Sequence, residues 1–419
     1  MLKGHITMPG DKSISHRALL LGALARGTTE ISNFLPGQDC LSTLECLKAL
    51  GVRVEVKSST ELALNGAGPG GLREAVGDLD CGNSGTTARL LLGVLAALPF
   101  ESRMTGDESL RQRPMGRVVE PLRSMGADIS GAEGGRFLPL TVRGGRLQGF
   151  TYRLPVASAQ VKSALLLAGL VSGREVEVVE PASSRDHTEK MLAYLGGRVE
   201  RRGNRVRIAP GQALEGRPIP VPGDISSAAF FLAAATLVPG SEVLLQGVGI
   251  NPTRAGALEV LKQMGARITF ASRGEAAGEP VADLLVRAAP LRGTEVKGKI
   301  IPALIDEIPI LAVAALFARG STVFRDAAEL RVKETDRIKA LVTELRKMGA
   351  DVEELPDGLV VRGGRRLKGG RLKTYGDHRM AMSLQVAGLA AGQEVLLDDA
   401  ECARVSFPGF FSLLKELQA

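Results

Sequence analysis

The feature that most restricts the fold is a pattern that returns six times. A short polar cluster leads into an apolar stretch of helical length. The stretch ends at Gly or Pro, and in most copies a run of β-formers follows. The first copy is Asp11-Lys12-Ser13-Ile14-Ser15-His16-Arg17, running into 18–24 and stopping at Gly27. Later copies open at Asn83-Ser84-Gly85-Thr86, Ser158-Ala159-Gln160, Asp224-Ile225-Ser226-Ser227, Asp306-Glu307-Ile308-Pro309 and Asp377-His378-Arg379-Met380. These stretches are apolar nearly all round, so each is expected to be a buried helix. A second pattern alternates with the first: an amphipathic helix, a glycine and a strand. Its glycines are Gly51, Gly126, Gly196, Gly265 and Gly349, each suited to a helix C′ position, and the segment 407–417 is the sixth helix.

Six units of roughly 70 residues fill the 419 positions. One such unit is too small for a good core, so three units per domain is the simplest packing. Pro218-Ile219-Pro220-Val221-Pro222-Gly223 is the most linker-like stretch. The expected domains are residues 11–222 and residues 1–10 with 223–419, hinged near 9–12 and 218–224. Parallel buried helices would turn their polar starts the same way, toward one cleft that the hinge can close.

The polar starts carry the chemistry. Ser13 can cap the first helix, and Lys12, Ser13, Arg17 and the helix end together suit a phosphate or carboxylate. A capped helix with a solvated basic end is the plainer reading. Lys12-Ser13 is not a P-loop, because Asp11 stands where that motif needs glycine. Gly85, among Asn83, Ser84 and Thr86, lets backbone N–H groups approach a ligand, or simply makes a turn. Arg113 heads an amphipathic helix and reads as a solvated face or a ligand group. Capping explains Ser158 but not Gln160. Ser184-Arg185-Asp186-His187-Thr188-Glu189 has metal-ligating residues but lacks a third spaced ligand, which favours a helix start that offers Arg185 to a phosphate.

In Arg331-Val332-Lys333-Glu334-Thr335-Asp336-Arg337 the helical pattern sets Lys333 and Arg337 four apart, where like charges repel unless an anion lies between them. Glu334 is then a candidate acid or base. Asp306 heads a buried helix, where desolvation raises a carboxylate pKa. His378 and Arg379 sit at a similar start, the histidine being a site group or a satisfied core residue.

Composition closes off other classes. The net charge of +7, the absence of Trp and the 4% aromatic content argue against a nucleic-acid partner. The N-terminus has no signal-peptide core, and the apolar runs fall short of a membrane span. Cys40, Cys46, Cys81 and Cys402 form no CxxC pair, as expected of reduced thiols in a cytoplasmic protein. Lys12, Arg17, Arg89, Arg113, Arg185, Lys333, Arg337 and Arg379, with few carboxylates, point to substrates bearing several negative charges. No metal or nucleotide motif accompanies them.

The stretches PGDKSISHRALLLGALA, GNSGTTARLLLG, RPMGRVVEPLRSMGA, RVKETDRIKA and GDHRMAMS resemble the 5-enolpyruvylshikimate-3-phosphate (EPSP) synthase family, through all six repeats. The resemblance implies an α/β (α+β) fold, a two-domain inside-out α/β barrel of six βαβαββ repeats. It implies transfer of the enolpyruvyl group of phosphoenolpyruvate (PEP) to the 5-hydroxyl of shikimate 3-phosphate, in a monomer without metal or organic cofactor. Carried over by motif, Lys12, Ser13, Arg17, Ser158, Ala159, Gln160, Arg185, Asp306 and Lys333 would hold shikimate 3-phosphate. Lys12, Asn83, Gly85, Thr86, Arg113, Gln160, Arg337, His378 and Arg379 would hold PEP. Asp306 would take the hydroxyl proton, Glu334 would protonate the PEP methylene carbon, and Lys12 would serve both substrates.

The chain departs from the family pattern at Val405, where a lysine is common, at Glu329, and at Ser158-Ala159-Gln160. Arg185-Asp186-His187 also replaces a tyrosine-containing stretch. Gly85 leaves room beside PEP where glyphosate-tolerant members often carry alanine. The related UDP-N-acetylglucosamine enolpyruvyl transferases carry a reactive cysteine in the loop matching 108–113, which has none here. A non-catalytic phosphometabolite-binding repeat protein is the alternative from another class.

Overall fold

The computed structural model describes residues 1–418. Six helices open at the polar starts: Lys12–Leu24, Gly85–Leu95, Ala159–Ser172, Ile225–Leu237, Ile308–Leu316 and His378–Ala391. Their apolar surfaces are covered on all sides; in Ile225–Leu237 every residue as far as Thr236 is buried. Five first turns are capped by a side chain, from Asp11, Ser84, Ser158, Asp224 and Asp377. Ile308–Leu316 has none and follows a 3-10 turn, Ile305–Glu307, with Pro309 in its first turn. Two expectations for the first helix change. The cap is Asp11, whose Oδ1 accepts from the Ile14 N–H at 2.9 Å, so Ser13 lies inside the first turn. The helix ends at Leu24 rather than near Gly27, because Ala25–Ser32 pairs as a strand with Leu62–Ala67.

The amphipathic helices Gln38–Ala49, Gly116–Ser124, His187–Tyr194, Gly256–Gln263 and Arg337–Lys347 end as the pattern requires. Gly51, Gly126, Gly196, Gly265 and Gly349 follow their C-caps with φ between +84° and +105°. A side chain at those angles is strained, which explains the residue type.

Each repeat adds one small mixed sheet. In the third, Val176–Val179 pairs parallel with Phe150–Arg153 and antiparallel with Arg205–Ile208, and Val199–Arg202 lies outside. Four other sheets keep this order, while the last is only Gly370–Leu372 beside Val395–Leu397. The parallel strand of the fourth sheet is Lys3–Thr7, paired with Glu242–Gln246 from far along the chain.

The chain divides into two compact units. One comprises Gly10–Val221 with Ala276–Glu279, and the other comprises Met1–Pro9, Pro222–Glu275 and the chain from Pro280 onward. The main chain passes from one unit to the other at Pro9/Gly10 and at Val221/Pro222. The short piece Ala276–Glu279 is the turn between the strands Arg267–Ala276 and Glu279–Arg287, and nothing in the sequence marks it. At the first crossing a Cβ on Gly10 would lie 1.8 Å from the Asn33 carbonyl oxygen, so only glycine fits. In the second unit Phe230, Phe231, Phe407 and Phe410 pack ring on ring at 5.6–5.8 Å, which seats the C-terminal helix Phe410–Glu416. Among the described residues no helix is long and apolar enough to cross a membrane.

Three helices of the unit built on Gly10–Val221 are tied by buried hydroxyls. His16 Nδ1 lies 2.7 Å from Thr43 Oγ1, which lies 2.7 Å from Thr87 Oγ1, itself 2.7 Å from Ser84 Oγ. Burial pushes the His16 imidazole down to about 3, so it stays neutral in the folded protein at ordinary pH. The unfolded chain takes up a proton near 6.5 that the folded chain refuses, so stability is lost as pH falls below that value. The slope from this one group is about 1.4 kcal/mol per pH unit. Urea unfolding at pH 7 and pH 5 should therefore show a loss for the wild type that exceeds the loss for His16→Asn by about 2 kcal/mol.

Candidate active site

In the unit built on Gly10–Val221, the helix starts collect cations over small residues. Lys12 occupies the first turn of its helix and pairs with Asp39 at 3.0 Å. Arg17 is one turn on and buried. It donates from Nε to Thr188 Oγ1 at 2.7 Å, from Nη1 to the Ser13 carbonyl at 2.9 Å and from Nη2 to Ser163 Oγ at 2.8 Å. Burial pushes its guanidinium down to about 10, which leaves it protonated at neutral pH. Its acceptors are neutral, so its charge is not spent on a carboxylate through these bonds.

Gly85 is the first residue of its helix, and two guanidinium groups converge over it. A Cβ there would stand 3.0 Å from Arg89 Nη1 and 3.8 Å from Arg113 Nη1. Arg113 is held by the carbonyl of Asn83 at 3.2 Å and its side-chain oxygen at 2.7 Å. Arg89 Nη1 donates to Gln160 Oε1 at 2.7 Å, and Gln160 Nε2 donates to Thr86 Oγ1 at 3.0 Å. Gln160 thus joins two helix starts, a role that capping could not supply. Ser158 caps its helix, accepting from the Val161 N–H, and Ala159 is the first helical residue.

Arg185 stands just before the helix His187–Tyr194, on a loop fixed from below. Glu180 accepts from the Ser184 N–H at 3.1 Å and from its hydroxyl. The fully buried Lys162 lies 3.1 Å from Glu180 and 2.7 Å from Glu189. The third ligand missing from the nearby sequence is supplied by Glu279, which with Asp186 and His187 brings ligand atoms within 4.8 Å of one another. His187 Nδ1 is 2.8 Å from Glu279, a buried hydrogen-bonded pair.

In the other unit the expected helix through Lys333 is absent. Ala328–Val332 is a 3-10 turn, 333–336 is irregular, and the helix Arg337–Lys347 starts after its cap Asp336. The i,i+4 argument therefore fails, since the two cations do not share a helix. The anion expected between them is nonetheless present, as a group of the chain itself. Asp306 Oδ1 lies 3.4 Å from Lys333 Nζ and 3.4 Å from Arg337 Nη1. Arg337 is wholly buried and also meets Asp377 at 2.7 Å and Glu334 at 2.6 Å. Its own carboxylates outweigh the cost of burying it and raise its pKa further.

Asp377 also caps the helix that His378 and Arg379 open, and both of those residues are buried. Arg379 Nη1 donates to the Asp306 carbonyl at 3.0 Å and to Glu307 at 3.2 Å. Val405 lies in the 3-10 turn Glu401–Val405, and the neighbouring Arg404 is exposed and paired with Glu401 at 2.7 Å.

Arg89, in the sequence one of eight cations with no partner of its own assigned, is the donor to Gln160, and no motif pairs the carboxylates Asp39, Asp377 and Glu307 with Lys12, Arg337 and Arg379, which they hold. The repeat itself was the available signal, because Asp377 occupies the capping position of its helix, as Asp11 and Asp224 do of theirs.

The family model for EPSP synthase (3-phosphoshikimate 1-carboxyvinyltransferase) matches residues 1–414. A 3-phosphoshikimate 1-carboxyvinyltransferase of Desulforudis audaxviator is 57% identical over 417 residues, covering 100% of this chain and 97% of its own. That of Desulforamulus reducens is 56% identical, covering 99% and 97%. The solved EPSP synthase of Acinetobacter baumannii superposes with a TM-score of 0.90 at 44% identity, over 99% of this chain and 96% of its own. With the helix-start motifs, the six sheets and full-length similarity in agreement, the chain belongs to the EPSP synthase family.

Proposed function

We infer that the chain performs its family's reaction with the groups gathered at its helix starts. The carboxyvinyl group of PEP passes to the 5-hydroxyl of shikimate 3-phosphate, with release of phosphate, in the biosynthesis of aromatic amino acids. The observation that carries this reading is the pair of carboxylates, Asp306 and Glu334, set on one cation, Arg337, at 3.4 and 2.6 Å. The reaction needs one group to take a proton from oxygen and one to give a proton to carbon.

Asp306 takes the 5-hydroxyl proton, with Lys333 and Arg337 offsetting its charge. Glu334 delivers a proton to the methylene carbon of PEP, and the oxygen nucleophile adds at the neighbouring carbon. The tetrahedral intermediate carries a phosphate and a carboxylate, which suits a cation-lined site. It collapses as the Glu334 carboxylate takes back a methyl proton, the C=C bond re-forms and the C–O bond to phosphate breaks. Lys12 serves both substrates. Arg17, Ser13, Ser158, Ala159, Gln160, Arg185 and Lys333 hold shikimate 3-phosphate. Arg113, Arg379 and Arg337, with Asn83, Gly85, Thr86, Gln160 and His378, hold PEP. The Arg337 fork is already filled by the chain's own carboxylates, so a substrate anion on it takes the place of Glu334. We assign the protein no metal or organic cofactor, since these side chains supply the proton transfers and the charge neutralisation that the addition and the elimination need.

Asp306→Asn and Glu334→Gln should each lower turnover at least a hundredfold, read as phosphate released, while shikimate 3-phosphate still binds by calorimetry. Near-normal rates in either variant would refute the role given to that residue. Gly85→Ala brings a methyl group 3.0 Å from Arg89 Nη1. It should raise the KM for PEP about tenfold, a cost of about 1.4 kcal/mol, and leave the KM for shikimate 3-phosphate within twofold. An unchanged PEP KM would detach Gly85 from the PEP site.

A further inference from the structure

Lys162 is the only charged residue of the helix Ala159–Ser172, and it is fully buried. Its ammonium donates to Glu180 Oε2 at 3.1 Å and to the Ser184 carbonyl at 3.4 Å, and it lies 2.7 Å from Glu189. Glu180, equally buried, accepts through Oε1 from the Ser184 N–H at 3.1 Å and from the Ser184 hydroxyl. One buried ion pair therefore holds all three polar groups of Ser184, the residue just before Arg185. Glu189 lies beyond Arg185, in the helix His187–Tyr194. Both flanks of Arg185 thus end on one ammonium. Arg201, from the outer strand of that sheet, closes the cluster at 2.7 Å from Glu180 and 3.6 Å from Glu189.

A lysine buried with carboxylates is no better for stability than well-packed apolar side chains of similar volume. The same helix is built of Leu, Ala and Gly from Ala164 to Leu170, so packing alone does not call for a charge there. The neighbouring segment does. Residues 180–186 are neither helix nor strand, so no ladder fixes their main chain, and Ser184 draws its partners from the ion pair. What the segment carries is Arg185, which comes near Arg17: burial lowers the Arg17 pKa most, and the charge of Arg185 lowers it further. Two guanidinium groups held close against their repulsion suit an anion, and an error of about 1 Å in such a placement costs up to about a hundredfold.

We propose that Lys162 is a positioning residue for shikimate 3-phosphate: it fixes the main chain on both sides of Arg185 and so sets that guanidinium where the substrate anion meets it. The proposal rests on the reading of Arg185 as a ligand of shikimate 3-phosphate. Lys162, wholly enclosed, touches no substrate itself.

The test is a double-mutant cycle in the full-length enzyme, with separate KM values for the two substrates. Lys162→Met keeps an unbranched apolar stem and removes the charge. It should raise the KM for shikimate 3-phosphate about tenfold and leave that for PEP within twofold. In an Arg185→Gln background the same change should add less than twofold, because the lysine acts only through Arg185. A merely structural role would raise both KM values, or would multiply the effect of Arg185→Gln, and either result overturns the proposal. So does an unchanged shikimate 3-phosphate KM in Lys162→Met. If Lys162→Met does not fold, Lys162→Met with Glu189→Gln, which leaves Arg201 and Glu180 paired, takes its place in every arm with the same outcomes. Arg185→Gln alone is the control for the underlying reading. An unchanged shikimate 3-phosphate KM there refutes Arg185 as a ligand, whereas a raised one with no effect of Lys162→Met refutes only the role of Lys162.

Discussion

A helix buried along its length can meet polar chemistry only at its first turn, where N–H groups lack partners inside the helix. That constraint organises the chain. The apolar bodies of the six helices fill the cores of the two units. Their starts carry most of the polar residues to which the family's motifs assign a role, while Arg113, Arg185, Lys333, Glu334 and Arg337 lie at or just before amphipathic helices. The capping side chains do a second task where they can: Asp377 completes its helix and also fixes Arg337. Stability and site geometry therefore share residues, and substitution at a cap acts on both.

Pairing separates the cations further. Arg17 is surrounded by neutral acceptors, Arg337 by three carboxylates, and Arg379 shares one carboxylate with a second arginine. The free charge each can offer falls in the order of that compensation. A count of basic residues in the sequence misses this, since all three read alike there.

The repeat was legible because it depends on local chemistry: polar start, apolar body, and a glycine where φ turns positive. The C′ glycines are its surest sign, since few other residues tolerate those angles. What stayed hidden depends on distant partners. Glu307 and Arg254 are 53 residues apart, and neither shows a period or motif that pairs them. Lys333 misled because an apolar stripe after Arg337 suggests a helix reaching further back than it does. The irregular 333–336 lets Asp306 reach both cations, so the departure from helical form belongs to the candidate site. The cap at Asp11 was misread for a smaller reason, a choice between two adjacent capping residues.

The strand Lys3–Thr7 pairs with Glu242–Gln246, which leaves a folding problem during synthesis. More than 200 residues must emerge before the first strand finds its partner, a delay on the order of tens of seconds at ribosomal rates. The unit built on Gly10–Val221 owes only a four-residue turn to later sequence, so nearly all of it can form while the first nine residues wait. The leading segment therefore emerges first and docks late. Its exposed backbone edge, flanked by Lys3 and His5, must stay out of the company of other nascent strands until the fourth repeat arrives.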